Sequence, residues 1–410
     1  VLDDRVGQSL DLTVERGGSQ LFFTVPVQDL NQLSPDEHLQ FGAAVVNHAA
    51  VTGLRRDGGR VAGAVVDTGR SRLDVRARVV INATGLWADD VRALDEGTHP
   101  HTIRPAKGIH IAVPWEKVRN DIAAVVPVPK DRRSIFVVPW AGAGGELGGE
   151  GSVTYIGTTD TDYDGDVDDP QCTAEDVAYL LDGINRSLSE PIGPGDVLGT
   201  WAGLRPLVAD ATSGRTTDLS RRHRITTSEG GMVTVTGGKL TTYREMAEDA
   251  VDTAVAVLGG DVGRRARRSS TRKLALRGAE GWAEAREADP HLAERYGGES
   301  GVLAAMTAAD PTLAGPLVPG LPYRRVEALY AARYEMATTL DDVLSRRTRA
   351  RLRARDATAA AADDVATLIA GELGWSEAER ADQVARYRAA AAREREAPGL
   401  PESVALTGGA

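Results

Sequence analysis

The sequence holds a single cysteine, Cys172, in 410 residues. That excludes an intrachain disulfide and a cysteine-based zinc cluster, and it fits a reducing, intracellular compartment. No apolar run reaches the length of a transmembrane helix, and the opening residues carry no signal-peptide pattern. The expectation is a cytoplasmic chain, with peripheral contact at the inner face of the cell membrane left open. Positive charge is also in short supply. The 48 basic residues stand against 59 acidic ones, a net charge of −11. A general nucleic-acid binder is therefore not expected, although a local basic pocket for a small anion remains compatible. What is present, 42% apolar and 26% charged residues, is ordinary for a globular protein of two or three domains.

One stretch organises the rest: Val233-Thr234-Val235-Thr236-Gly237-Gly238-Lys239-Leu240-Thr241-Thr242-Tyr243-Arg244. The alternation of valine and threonine predicts a strand with one buried face. Met246, Ala250, Val251, Ala254, Val255 and Leu258 then recur at helical spacing. Between strand and helix, Gly237 and Gly238 let the backbone approach a ligand, and Lys239 adds a positive charge near a helix N-terminus. Thr241 or Thr242 is expected to cap the helix. The stretch suits a phosphate or another anion; an ordinary Gly-Gly turn with a solvated lysine is the plain alternative.

Along the chain, residues 1–40 show little pattern beyond an edge-strand signal at Leu21–Val27 and a helical-turn signal at Ser34–Glu37. From Gly42, strands are expected at Ala43–His48 with Val51–Leu54, at Val61–Val66 and at Ser71–Arg76. Val79-Val80-Ile81 reads as a strand buried on both faces, ending in the small-residue turn Ala83-Thr84-Gly85, a place where open α/β sheets meet ligands. Residues 104–160 read as a mostly antiparallel sheet, with Arg104, Lys107 and His110 together suggesting anion handling. Asp160, Asp162, Asp164 and Gly165 match the start of a calcium loop, but Gln171 stands where a bidentate glutamate is needed, so calcium binding is not expected. Thr173 caps an amphipathic helix with Val177, Leu180, Leu181, Ile184 and Leu188 on one face. Arg205 stands in the strand-like run Thr200–Leu207, and Arg221, Arg222 and Arg224 follow. Residues 259–280 form a basic connector. Beyond them the chain is helical, with Val326, Leu329, Tyr330, Tyr334, Leu340, Val343 and Leu344 on one face, no evident chemistry, and a disordered tail after Pro398.

Together the runs Val79–Trp87, Arg104–His110, Phe136–Trp140, Gly157–Gly165, Gly203–Leu207 and Gly237–Arg244 resemble the FAD-dependent, quinone-linked glycerol-3-phosphate dehydrogenases. The resemblance covers about residues 41–396. It implies an α/β (α+β) fold. Part of a glutathione-reductase-like FAD domain (41–104 and 195–258) carries an inserted antiparallel-sheet substrate domain (105–194). A basic linker (259–280), a helical C-terminal domain (281–397) and a tail (398–410) follow, and 1–40 form an atypical N-terminal segment. It implies FAD as cofactor, held along Ala83, Thr84, Gly85, Gly237, Gly238, Leu240 and Thr241, and no metal. The implied substrate is sn-glycerol 3-phosphate, oxidised to dihydroxyacetone phosphate, with Arg221 and Lys239 on its phosphate and His110 and Arg205 in catalytic positions. Quinone is the implied acceptor, or oxygen as in the oxidases of the group. Nucleic acid is not an expected partner; peripheral membrane contact and a homodimer are compatible. One departure stands out. The family opens with Gly-x-Gly-x-x-Gly, whereas residues 1–40 hold only Gly7, Gly17 and Gly18. From that departure, weak FAD binding is expected, with a flavin-free binding or structural protein as the alternative reading.

Overall fold

The computed structural model describes residues 9–16 and 19–26, of which the backbone alone, and residues 44–128, 133–142, 147–208, 222–266 and 268–403. β1 (Ser9–Arg16) and β2 (Ser19–Pro26) form an antiparallel hairpin, so the strand signal at Leu21 has a partner; the helical-turn signal at Ser34 lies outside the described residues. Residues 44–49 are irregular rather than a strand. His48 is left-handed (φ 50°), and the Asn47 amide donates to Met336 O at 2.7 Å, so this segment ties to the helical region instead of pairing in a sheet. β3 (Ala50–Asp57), β4 (Arg60–Asp67) and β5 (Arg72–Arg76) then form an antiparallel meander.

β6 is only Ile81–Asn82, followed by a 3-10 turn (Gly85–Trp87) and α1 (Ala88–Glu96). The expected burial on both faces is corrected: Ile81 is 40% exposed, because among the described residues β6 pairs only with β14, through a two-residue register.

The largest sheet follows. β7 (Ile103–Pro114) is its spine, with β8 (Ala124–Pro127), β9 (Ser134–Trp140), β10 (Val153–Gly157), the short β11 (Thr161–Asp162) and, after α2 (Ala174–Asn185), β12 (Gly199–Val208). β12 lies on one edge of β7, while β10 and β11 share the other; every pairing is antiparallel. The period of two sorts the side chains. Ile109, Ile111 and Val113 of β7 join Ile135, Val137 and Ile156 in a core closed by Val177, Leu180 and Ile184 of α2. Each such burial is worth about 1.5–3 kcal/mol. Thr173 caps α2 in a capping box with Asp176.

β13 (His223–Thr227) and β14 (Val233–Gly237) complete a three-stranded sheet in the order β13-β14-β6. β14 buries its threonines as well as its valines, not one face alone, since strands flank it on both sides and helices and β12 pack on it. A 3-10 turn (Leu240–Thr242) leads into α3 (Tyr243–Leu258). Thr242 does not cap by its side chain; its hydroxyl donates to Lys239 O at 3.1 Å. Val251 is 53% exposed, while Ala250 and Ala254 are buried.

The remainder is helical: α4 (Gly260–Arg265), α5 (Trp282–Ala288), α6 (Pro290–Tyr296), α7 (Ser300–Ala309), α8 (Arg325–Tyr334), α9 (Ala350–Arg353), α10 (Arg355–Leu373) and α11 (Glu377–Glu396). The apolar residues 326–344 do not share one helix. α8 stops at Tyr334, Met336 turns left-handed, and a π-helical segment (Asp342–Arg347) follows, though Leu340, Val343 and Leu344 remain buried in one core with Val365, Ile369 and Tyr387. The end of the described chain also folds back. Leu400 is 7% exposed within the core under the large sheet, and Ser403 N donates to Asp356 Oδ2 at 2.7 Å. The expected disorder after Pro398 therefore does not extend to residues 399–403.

Candidate active site

β6 and β14 run parallel, Val233 opposite Ile81 and Thr234 opposite Asn82, so their carboxyl ends emerge side by side. From the first comes Ala83-Thr84-Gly85, from the second Gly237-Gly238-Lys239. Asn82 is buried and holds the first turn: its amide donates to Ala88 O at 2.9 Å, and its Oδ1 accepts from the Thr84 hydroxyl at 2.7 Å. Gly85 has φ 61° with open space where a Cβ would stand. Gly237 and Gly238 have φ 69° and 85°; a Cβ on the former would meet Arg222 O at 2.8 Å, and on the latter the Met246 sulfur at 2.4 Å. Glycine adopts these positive φ values without strain, and at Gly237 and Gly238 a side chain would also clash. Ala83, Thr84, Lys239, Leu240 and Thr241 are exposed, Leu240 to 87%. These paired small-residue turns at strand ends are an open cradle, shaped for an extended ligand to lie across them.

β12 joins this cradle to the large sheet. Val208, its last residue, lies 3.2 Å from the Cβ position of Gly237, and the strand packs on β14 and on the Gly85–Trp87 turn. On the sheet face opposite α2, Trp201 stands across from His110, Gly203 from Gly108, and Arg205 from Ala106. The His110 imidazole stacks on the Trp201 indole, and Tyr155 and Trp140 extend the row, with centroids 5.8 Å from Trp201 to Tyr155 and 5.5 Å from Tyr155 to Trp140. The Arg205 guanidinium lies over Gly108, whose Cβ would come within 2.6 Å of both terminal nitrogens. It donates to Thr159 O (3.2 Å), Thr158 Oγ1 (3.2 Å) and Asp160 Oδ1 (3.4 Å). Burial, and next the Arg205 charge, push the His110 pKa down to about 4, so the imidazole is neutral at physiological pH.

The sequence-predicted residues fall into three groups. His110 and Arg205 share this face, while Ala83, Thr84, Gly85, Gly237, Gly238, Lys239, Leu240 and Thr241 line the neighbouring turns. Arg221 lies outside the described residues. Arg104 and Lys107 do not form an anion site with His110. Lys107 points to the α2 side, where its Nζ meets Asp176 at 2.5 Å, and Arg104 pairs with Asp162 at 2.5 Å. Parity explains Lys107, since residues 107 and 110 occupy opposite faces of one strand; Arg104 shares the face of His110 but is taken by Asp162. Asp160 and Asp162 thus serve separate arginines. Cys172 is buried, and burial first of all pushes its thiol up to about 12, so it is no nucleophile. Sequence reasoning missed the aromatic row of Trp140, Tyr155 and Trp201. No local pattern marks it, because three separate strands carry its members.

A family model described as FAD dependent oxidoreductase matches residues 36–244, and one described as the C-terminal domain of alpha-glycerophosphate oxidase matches residues 253–380. Glycerol-3-phosphate dehydrogenase 2 of Mycobacterium tuberculosis is 37% identical over 365 residues, 85% of this chain and 60% of that protein. The human mitochondrial glycerol-3-phosphate dehydrogenase is 33% identical over 376 residues, 85% of this chain and 49% of that one. The chain thus spans between half and three-fifths of the length of these relatives. An X-ray structure of the glycerol-3-phosphate dehydrogenase from Bacillus halodurans complexed with FAD superposes with TM-score 0.68 at 26% identity, covering 87% of this chain and 70% of that one.

Proposed function

The chain belongs to the FAD-dependent oxidoreductase family, and on that premise we propose that it carries out FAD-dependent oxidation of sn-glycerol 3-phosphate to dihydroxyacetone phosphate. The observation that supports this most directly is the sheet face bearing Arg205 and a neutral His110, joined through β12 to the cradle of Gly85 and Gly237-Gly238. The cradle fits FAD: its glycines open the backbone on one side, and its outward residues are small or exposed. Ala83, Thr84, Gly85, Gly237, Gly238, Leu240 and Thr241 would hold the cofactor. FAD, when bound, accepts the hydride that leaves C2.

The chain's own residues account for the rest. His110, uncharged, offers a ring nitrogen to the C2 hydroxyl as hydrogen-bond acceptor. Arg205 has five N–H donors, of which three neighbours engage some, and the remainder suit a substrate oxygen. Lys239 and Arg221 complete the binding of a phosphate dianion, which takes two or three cationic donors. Residues 41–104 and 195–258 are the FAD-binding portion, 105–194 the substrate domain, and 281–397 a helical domain behind a basic linker. Among the described residues no helix is long and apolar enough to cross a membrane. Transfer of electrons to quinone, peripheral contact with the membrane and a homodimer belong to the same reading.

The test is direct. The purified chain is titrated with FAD and assayed with sn-glycerol 3-phosphate against quinone and against oxygen. Weak flavin uptake, in keeping with residues 1–40 lacking Gly-x-Gly-x-x-Gly, with product formation once flavin is saturating and no turnover of glycerol, is the expected result. A chain that takes up FAD yet leaves glycerol 3-phosphate untouched would overturn the substrate assignment.

A further inference from the structure

Between residues 346 and 355 the chain carries six arginines, at 346, 347, 349, 351, 353 and 355. Five are tied down. Arg346 meets Asp341 at 2.5 Å, and Arg347 donates twice to Glu335 O, at 3.0 and 2.6 Å. Arg351 reaches Glu394 at 2.6 Å, Arg353 donates to Gly151 O at 2.7 Å, and Arg355 grips Asp356 at 3.1 and 2.7 Å. Arg349 is different. It is exposed, and among the described residues its guanidinium has no carboxylate or carbonyl partner; its one contact is the Trp140 ring, with the centroid 6.0 Å away.

Its backbone is also unusual. Arg349 has φ 60°, the left-handed region that a side chain with a Cβ rarely occupies. The surroundings impose it. Thr348 is buried and donates its hydroxyl to Val343 O at 2.8 Å, Arg347 is clamped on Glu335, and α9 packs on β7 and β12 directly afterwards. Strain of this kind persists only where neighbours over-determine it, and it is common at ligand-handling positions. The turn presents a guanidinium with no carboxylate partner among the described residues above Trp140, the end of the aromatic row Trp140–Tyr155–Trp201–His110. Arg353 fixes the same indole from within the interface, 4.7 Å from its centroid.

We propose that Arg349 is a capture residue for the substrate's anionic group, contributed by the helical region to the mouth of the site. The inference rests on the phosphate-ester reading above. A guanidinium over an aromatic ring keeps its N–H edges outward, in the fork that matches two phosphate oxygens. In a chain of net charge −11, an exposed cation beside that face also draws an anion toward it and away from the acidic remainder. The anion meets Arg349 first and then passes along the row toward Arg205.

Calorimetry of the FAD-loaded chain with inorganic phosphate, sn-glycerol 3-phosphate and glycerol tests this. Arg349→Gly is the informative variant, because glycine adopts φ 60° without strain and the turn should still form. Arg349→Gly should weaken phosphate and glycerol 3-phosphate about tenfold, the scale of one charge-assisted contact, while leaving glycerol unchanged. Arg349→Lys should recover part of the loss. Unchanged phosphate binding in Arg349→Gly, or an equal loss for glycerol, would overturn the inference and leave the proposed function standing. An unsubstituted chain that binds neither anion would overturn both.

Discussion

The imidazole of His110 lies nearly parallel to the indole of Trp201, ring centroids 4.9 Å apart and planes at 7°. Gly157 makes this possible from the opposite strand, since a Cβ there would stand 2.4 Å from His110 Cδ2. The stack removes one face of the imidazole from water, and Arg205 adds a like charge to any protonated form. Both effects favour the neutral ring.

A pH dependence follows from this pair. The folded His110 pKa of about 4 lies below its unfolded value of 6.5. Between those values the unfolded chain binds a proton that the folded chain refuses. Stability from this group is therefore complete above about pH 6.5 and falls as pH drops toward 4, by up to about 1.4 kcal/mol per pH unit. His110→Phe, which keeps a ring on Trp201, should flatten that part of the denaturation-against-pH curve. An NMR titration placing His110 near 6.5 would refute the burial argument.

Gly108→Ala should separate stability from recognition. The new methyl would press on the guanidinium of Arg205 and on Thr158 Oγ1, each 2.6 Å away. Those are side-chain ends that can yield, so melting should change little. The displaced guanidinium should raise KM for glycerol 3-phosphate about tenfold, measured by steady-state kinetics alongside calorimetric melting.

Lys107→Met should do the reverse. Lys107 and Asp176 are both buried, and the same Asp176 closes the capping box of α2. Removing one partner strands a buried carboxylate, at a cost of about 3–5 kcal/mol. Urea denaturation should show the loss while KM stays put. A raised KM with unchanged stability would return Lys107 to the anion-handling role its neighbourhood in sequence suggested.

Gly238→Ala addresses the cradle. At φ 85° an alanine is strained wherever it fits, and its methyl would also meet the Met246 sulfur. A loss of about 1–3 kcal/mol and weaker FAD uptake are expected. Flavin titration that matches the unsubstituted chain would show that this turn does not touch the cofactor.

Much of this was legible in the sequence because it is local. The runs Thr200–Leu207 and Val233–Thr236 located β12 and β14 close to their observed bounds, Thr173 marked a helix start, and Gly237-Gly238 announced a turn whose two residues both have positive φ. Period two also dictated that His110 and Lys107 face opposite ways. It could not say which way was inward. That was decided when α2 covered the face of Ile109 and Ile111, leaving Lys107 to find Asp176 and His110 to find Trp201. Contacts across long separations settled the rest: Thr200 N on Glu394, Arg355 N on Leu198 O, Leu400 beneath the large sheet, and Arg349 above Trp140. Local propensity carries no information about such pairs. Their energy arises only when segments more than a hundred residues apart are desolvated against each other, so the chain's own pattern defined the strands and turns, and tertiary packing alone chose which charges stayed free.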